Sequence, residues 1–230
     1  MSLVSNYQKI LQEMAIAAHA QGRDPAAIAI LAVSKGQDAQ AIRAAFSLGL
    51  VNFGESYWQE AKVKLAKLAD VPITWHFIGK LQTNKLKDIA QHFSWVHSVT
   101  REVELVMLAK HRPVNLPPLQ ICLEVQVKGA LSKSGVLPQA LPPLVQTGLT
   151  LPNIKLRGLM IMLDPKTLRQ DQEKTFVRTK ELLTKLNIKY NTNLDTLSMG
   201  MSNDFQAAIK AGSTMVRLGR SLFNLGFEKA

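Results

Sequence analysis

Lys35 is the first residue whose type and place suggest chemistry. It directly follows residues 28–34 (IAILAVS), a short continuous apolar run of the kind carried by parallel strands buried on both faces. An amine at the end of such a strand stands over apolar walls, where desolvation favours the neutral, nucleophilic nitrogen needed for Schiff-base formation. The competing reading is an ammonium that snorkels to water. A second candidate lies near the far end of the chain, where residues 214–218, including Arg217, run into Gly219, Arg220 and Ser221 at an expected helix start. Amides left free in a first helical turn point at an anion, the helix dipole favours negative charge, and Gly219 lets the backbone approach closely.

The elements that must position these residues alternate along the chain. Residues 5–21 read as an amphipathic helix stopped by Gly22. After it, short apolar strands are expected at 28–34, 50–53, 74–78, 95–98, 119–125, 155–162, 196–199 and 214–218. Helical patterns separate them at 39–48, 57–68, 84–92, 101–110, 138–147, 167–186 and 203–211, with a last helix from Ser221 onward. Eight strands, each followed by a helix, predict one α/β domain over residues 1–230: a single (β/α)8 TIM-type barrel with an extra N-terminal helix. An open doubly wound sheet is the structural rival, because periodicity does not report closure.

In a barrel the functional face is the C-terminal end of the strands, and phosphate sites commonly use the loops after strands seven and eight. Ser202 falls there, together with Gly219 and Arg220. An amine after strand one and an anion cradle after strands seven and eight describe an aldehyde that carries a phosphate. Pyridoxal 5′-phosphate satisfies both.

Composition narrows the classes further. A chain of 230 residues with 47% hydrophobic and 20% charged residues buries a core without metals or disulfide staples. Cys122 is the only cysteine, so no internal disulfide forms, and a cytoplasmic address is expected. The N-terminus carries Lys9 and Glu13 and lacks the features of a secretory signal, and the longest uncharged run, 134–154, is interrupted by prolines, so no membrane span is expected. The net charge of +11 divides into +4 over residues 1–115 and +7 over 116–230, without a basic tail or block. Lys62, Lys64, Lys67, Lys174, Arg178 and Lys185 are read as solvated helix faces, which sets a nucleic-acid stripe aside.

Several stretches carry a resemblance to a known family: Gly22-Arg23-Asp24-Pro25, Leu31-Ala32-Val33-Ser34-Lys35, Phe53-Gly54-Glu55, Gln59-Glu60, Trp75-His76-Phe77-Ile78-Gly79, Leu81-Gln82-Thr83-Asn84-Lys85, Ser132-Lys133-Ser134-Gly135 and Arg157-Gly158-Leu159-Met160. The most specific lie near the end, in Ser198-Met199-Gly200-Met201-Ser202 followed by Asp204, Ala211-Gly212-Ser213-Thr214 and Val216-Arg217-Leu218-Gly219. Along nearly its whole length the sequence resembles the pyridoxal phosphate homeostasis protein family.

The resemblance implies a barrel like the N-terminal domain of alanine racemase, with the cofactor held as an internal aldimine on Lys35. It also implies that Ser202, Gly219 and the main chain of Arg220 hold the phosphate while Arg217 faces the pyridine nitrogen. An arginine there disfavours protonation of the ring and makes it a poorer electron sink. The implied role is intracellular homeostasis of the cofactor and its delivery to pyridoxal-phosphate-dependent apo-enzymes, by a monomer without turnover. Two departures stand out: Ser56 replaces the family's asparagine after Gly-Glu, and Arg220 replaces a hydroxyl residue that neighbouring Ser221 partly restores.

Other candidates are weaker. The five histidines show no metal-ligand spacing and are read as satisfied or solvated. Residues 200–204 begin like a nucleophile elbow but end in Asp204 rather than glycine, which argues against a hydrolase. Lys133 is read as a solvated loop lysine, with contact to an anion or a cofactor in transit as the alternative, and Glu55 as a residue that could organise the barrel mouth but carries no chemistry. The rival function is an enzyme of the same barrel and cofactor, an amino-acid racemase or decarboxylase. Such an enzyme needs an acid or base positioned at the substrate's α-carbon, usually from a second domain, for which 230 residues leave no room.

Overall fold

The structure, a computed structural model, describes residues 2–127, 135–164 and 166–223. It begins with α1 (Leu3–His19) and then alternates: β1 (Ala29–Val33), α2 (Ala39–Ser47), β2 (Asn52–Glu55), α3 (Trp58–Lys67), β3 (Thr74–Phe77), α4 (Leu86–His92), β4 (Trp95–Val99) and α5 (Glu102–His111). The second half continues with β5 (Leu119–Glu124), α6 (Leu141–Thr150), β6 (Ile154–Met160), α7 (Arg169–Tyr190), β7 (Thr196–Met201), α8 (Phe205–Lys210), β8 (Met215–Leu218) and α9 (Arg220–Phe223). The strands pair in sequence order and in parallel, and β8 returns to β1 through Ala29↔Met215 to Ala32↔Leu218. The sheet is therefore a closed eight-stranded barrel, and the open-sheet rival is excluded.

Residues paired across a ladder face the same side, and alternate residues along a strand face opposite sides. Leu31 pairs with both Asn52 and Arg217, and Gly54 pairs with His76, which pairs with Trp95. These residues form the inner wall. The alternate residues Ala32, Phe53, Val96 and Ile121 face outward and are fully buried under the helices, which makes the layer between strands and helices the apolar core.

The connections explain several sequence signals. Arg23 donates to the carbonyls of Ile209 and Ser213, both at 2.7 Å, so the turn after α1 is clasped to the turn before β8. Asp24 accepts from the Ala26 amide at 2.9 Å and caps the short turn opened by Pro25. The extra N-terminal helix is present, and Asn6 on it donates to the Leu222 carbonyl at 3.0 Å.

Most expected boundaries shift by a residue or more, three of them informatively. The second strand was expected at 50–53 but runs Asn52–Glu55, because polar Asn52 and Glu55 find partners in the interior while Leu50 is buried before the strand begins. The sixth strand ends at Met160 rather than at 162. The α6 helix begins at Leu141, after a 3-10 turn over Pro138–Ala140, and runs to Thr150. Lys133 and the motif residues 132–134 lie outside the described residues, as does the last helix beyond Phe223.

One charged residue contradicts its reading. Lys64 is not on a solvated face: it is 5% exposed, whereas Lys62 and Lys67 are exposed as expected. Carboxylates on β2 and on its own helix compensate the buried charge, a pairing invisible to helical periodicity.

Candidate functional site

Lys35 stands two residues beyond β1, at the C-terminal rim of the barrel, and is exposed. It occupies the second position of a tight turn closed by the Gln37 amide on the Ser34 carbonyl at 2.9 Å. Gly36 follows with φ +76°, the left-handed third position that such a turn demands and that glycine adopts without strain. Among the described residues the Lys35 amine has no hydrogen-bond or ion-pair partner. Its two neighbours are held tightly. Lys64 Nζ donates to the Ser34 carbonyl at 2.6 Å, Ser34 Oγ donates to Glu55 Oε1 at 2.6 Å, and the Gly36 amide donates to Glu60 Oε1 at 2.6 Å.

Gly219, Arg220 and Ser202 follow the neighbouring strands β8 and β7 on the same rim. The Ser221 amide and hydroxyl lie 3.2 Å and 3.0 Å from Ser202 Oγ. The amides of Gly219 and Arg220 donate to no described acceptor. A Cβ at position 219 would stand 3.3 Å from the Val33 carbonyl oxygen, so glycine also suits the seam between β8 and β1. Buried Asp204 accepts from the Met201 amide at 2.5 Å and fixes the turn that presents Ser202. Burial pushes its carboxyl above the usual carboxylate range. The Arg220 side chain is exposed, and Ser56 sits on the rim beyond β2 with its carbonyl against Gly79, where any Cβ would collide.

Arg217 points inward from β8 and is almost fully buried. Its Nη1 donates to the Ser198 carbonyl at 2.5 Å and to Ser198 Oγ at 2.8 Å, and its Nη2 donates to the Ile161 carbonyl at 2.6 Å. Burial pulls the guanidinium down to about 10, which leaves it charged at neutral pH. A chain of polar groups continues from Ser198 Oγ to His97 Nδ1 at 2.9 Å, from His97 Nε2 to His76 Nδ1 at 2.9 Å, and from His76 Nε2 to Asn52 Oδ1 at 3.1 Å. Burial pulls the His76 imidazole down to about 3 and holds His97 well below the ordinary histidine value, with His76 and the Arg217 cation adding to the effect.

The barrel thus gathers the five expected residues on adjoining strands. Lys35 follows β1, Arg217 lies in β8, Gly219 and Arg220 follow β8, and Ser202 follows β7. Two groups escaped sequence reasoning. The Glu55–Lys64–Glu60 cluster left separate signals, the stretches Phe53-Gly54-Glu55 and Gln59-Glu60 and the i,i+4 spacing of Glu60 and Lys64, but nothing that joined them. The line through Ser198, His97, His76 and Asn52 left none, because its members lie on four different strands. Among the described residues no group of histidine, cysteine or carboxylate side chains could hold a metal ion.

The alanine racemase N-terminal domain model matches residues 12–226. A pyridoxal phosphate homeostasis protein from Pseudomonas aeruginosa is 50% identical over 222 residues, which span 96% of this chain and 95% of that protein. The chain belongs to the pyridoxal phosphate homeostasis family. The Vibrio cholerae family member is 42% identical over 226 residues, again spanning 96% and 95% of the two chains. PipY from Synechococcus elongatus, solved with PLP bound, superposes with a TM-score of 0.81 at 33% identity, covering 93% of this chain and 99% of that one. No described helix is long and apolar enough to cross a membrane.

Proposed function

We propose that this protein binds pyridoxal 5′-phosphate (PLP) reversibly at the C-terminal mouth of its barrel. It acts as a single-domain monomer in cytoplasmic PLP homeostasis and delivers the cofactor to PLP-dependent apo-enzymes without turnover of its own. The observation that carries this reading is the adjacency of β8 and β1, whose C-terminal ends lead into Lys35 on one strand and into Gly219 and Arg220, with their unaccepted amides, on the other. Membership of a family whose relatives are named for PLP homeostasis, and the PLP-bound structure of PipY, support it.

The residues present fit the cofactor. Its phosphate matches a seat of two free amides and the hydroxyls of Ser202 and Ser221. When bound, PLP supplies an aldehyde carbon that an amine can attack and a ring that withdraws electrons. Lys35 provides the amine. Arg217 directs donors only, so it offers a ring nitrogen a hydrogen bond without giving up its proton, which leaves that nitrogen unprotonated and the ring a weak electron sink. Ser198 and the Ile161 carbonyl fix the guanidinium plane against the inner wall.

The decisive experiment is a visible spectrum of the protein with PLP before and after borohydride, with the modified residue located by mass spectrometry. Modification at Lys35 is expected. Modification elsewhere, or a spectrum unchanged in Lys35→Ala, overturns the reading.

The family model's own description, the N-terminal domain of alanine racemase, favours a second reading as an amino-acid racemase, and a decarboxylase would need the same barrel and cofactor. That chemistry needs an acid or base poised over the substrate's α-carbon. His76 and His97 are fully buried and committed to each other, and burial pushes the Cys122 thiol up to about 12. Steady racemisation or decarboxylation of any common amino acid at ordinary enzymatic rates would favour the enzyme.

A further inference from the structure

Lys64 is a buried lysine whose ammonium has three acceptors: the Ser34 carbonyl at 2.6 Å, Glu55 Oε1 at 2.8 Å and Glu60 Oε1 at 2.6 Å. The same carboxylates also take the Ser34 hydroxyl and the Gly36 amide. The residues on both sides of Lys35 are therefore tied to one buried cluster, while the Lys35 side chain itself is free. The cluster holds two carboxyl groups against one ammonium. Glu55 is fully buried, with Oε2 unpartnered, and its desolvation pushes its carboxyl up despite Lys64 and Ser34. Burial also opposes the charge on Glu60, but Lys64 and the Gly36 amide outweigh it, so Glu60 stays below the usual carboxylate range. The Lys35 ammonium is among the cations that favour the ionised form of Glu60.

We propose that Glu55, Lys64 and Glu60 are positioning residues for Lys35: they clamp its turn so that its nitrogen meets an incoming aldehyde. The arrangement suits such a clamp. A lysine with four rotatable side-chain bonds is directed only if its Cα is fixed, and here hydrogen bonds to ionised groups, which are stronger than neutral ones, fix both flanking residues. The cluster touches neither the phosphate seat nor Arg217. Its effect should therefore be confined to ligands that react with the amine.

The inference rests on Lys35 as the PLP lysine, and the test separates the two claims. PLP and pyridoxamine 5′-phosphate, which bears an amine in place of the aldehyde, are titrated against the wild-type chain, Lys35→Ala, Glu60→Gln and Lys64→Met. The wild type is expected to prefer PLP, and Lys35→Ala to lose that preference. Glu60→Gln and Lys64→Met are expected to weaken PLP roughly tenfold, the scale of one hydrogen bond to a charged group, and to leave pyridoxamine 5′-phosphate unchanged. Glu60 is one-third exposed, so its variant carries the test even if Lys64→Met does not fold. Retention of the full preference in Glu60→Gln overturns the clamp, and so does equal weakening of both ligands. A preference that survives in Lys35→Ala overturns the assignment of the lysine itself, and the clamp with it.

Discussion

Arg217 Nη1 lies 2.8 Å from Ser198 Oγ, and this contact anchors one end of a line of hydrogen bonds along the inner wall of the barrel. A guanidinium only donates, so the Ser198 oxygen accepts from it and turns its own proton toward His97 Nδ1. His97, neutral, then carries its proton on Nε2 and donates to His76 Nδ1, and His76 donates from Nε2 to Asn52 Oδ1. The Asn52 oxygen, which only accepts, and the Arg217 cation, which only donates, thus fit one tautomer of each ring.

Ser198→Ala should therefore cost more than a surface serine. It removes the acceptor of one Arg217 donor and the donor to His97 Nδ1, both in the dry interior. Buried groups left without partners cost about 1–3 kcal/mol. Urea unfolding should show a loss in that range, and a loss under about 0.5 kcal/mol, the surface level, would contradict the wire.

The two imidazoles also predict acid sensitivity. Their folded values lie below the unfolded value, His76 at about 3, so the folded state refuses protons that the unfolded chain accepts. Their contribution is intact above about pH 6.5 and is lost as pH falls toward 3. Together they should remove about 2 kcal/mol between pH 7 and 5.5, against the opposite effect of Glu55 and Asp204, whose carboxyls burial raises. Urea midpoints across this range test the loss. The ring C–H signals of His76 and His97 should stay still over the same interval, and movement would sink the explanation.

Lys64→Met should destabilise the fold by about 3 kcal/mol, since it strands buried Glu55 without its cation. Adding Glu55→Gln removes the stranded charge and should recover part of that loss. Equal stability of the single and double variants would show that the Glu55–Lys64 pair carries no coupling.

Ser202→Ala should weaken PLP binding roughly tenfold by removing a hydroxyl from the phosphate seat, while pyridoxal, which has no phosphate, keeps its affinity. Parallel titrations of the two ligands decide it. An equal effect on both would move the phosphate elsewhere.

Gly36→Ala should cost about 1–2 kcal/mol, because its φ of +76° places a Cβ in the left-handed region. Thermal or urea unfolding measures it, and a neutral result would mean that the turn rearranges.

Much of this protein was readable before any coordinate. Short apolar runs such as 28–34 report burial on both faces, and turn residues such as Gly22 report where elements stop, because both depend on near neighbours. That local information placed Lys35, Ser202, Gly219 and Arg220 at strand ends. The tertiary structure alone decided the rest. Closure depends on β8 meeting β1 across the whole chain, through a twist accumulated over eight strands. Lys64, Glu55, His76 and His97 are buried because their partners arrive from other elements, so a pattern that scores polarity residue by residue assigns them to water.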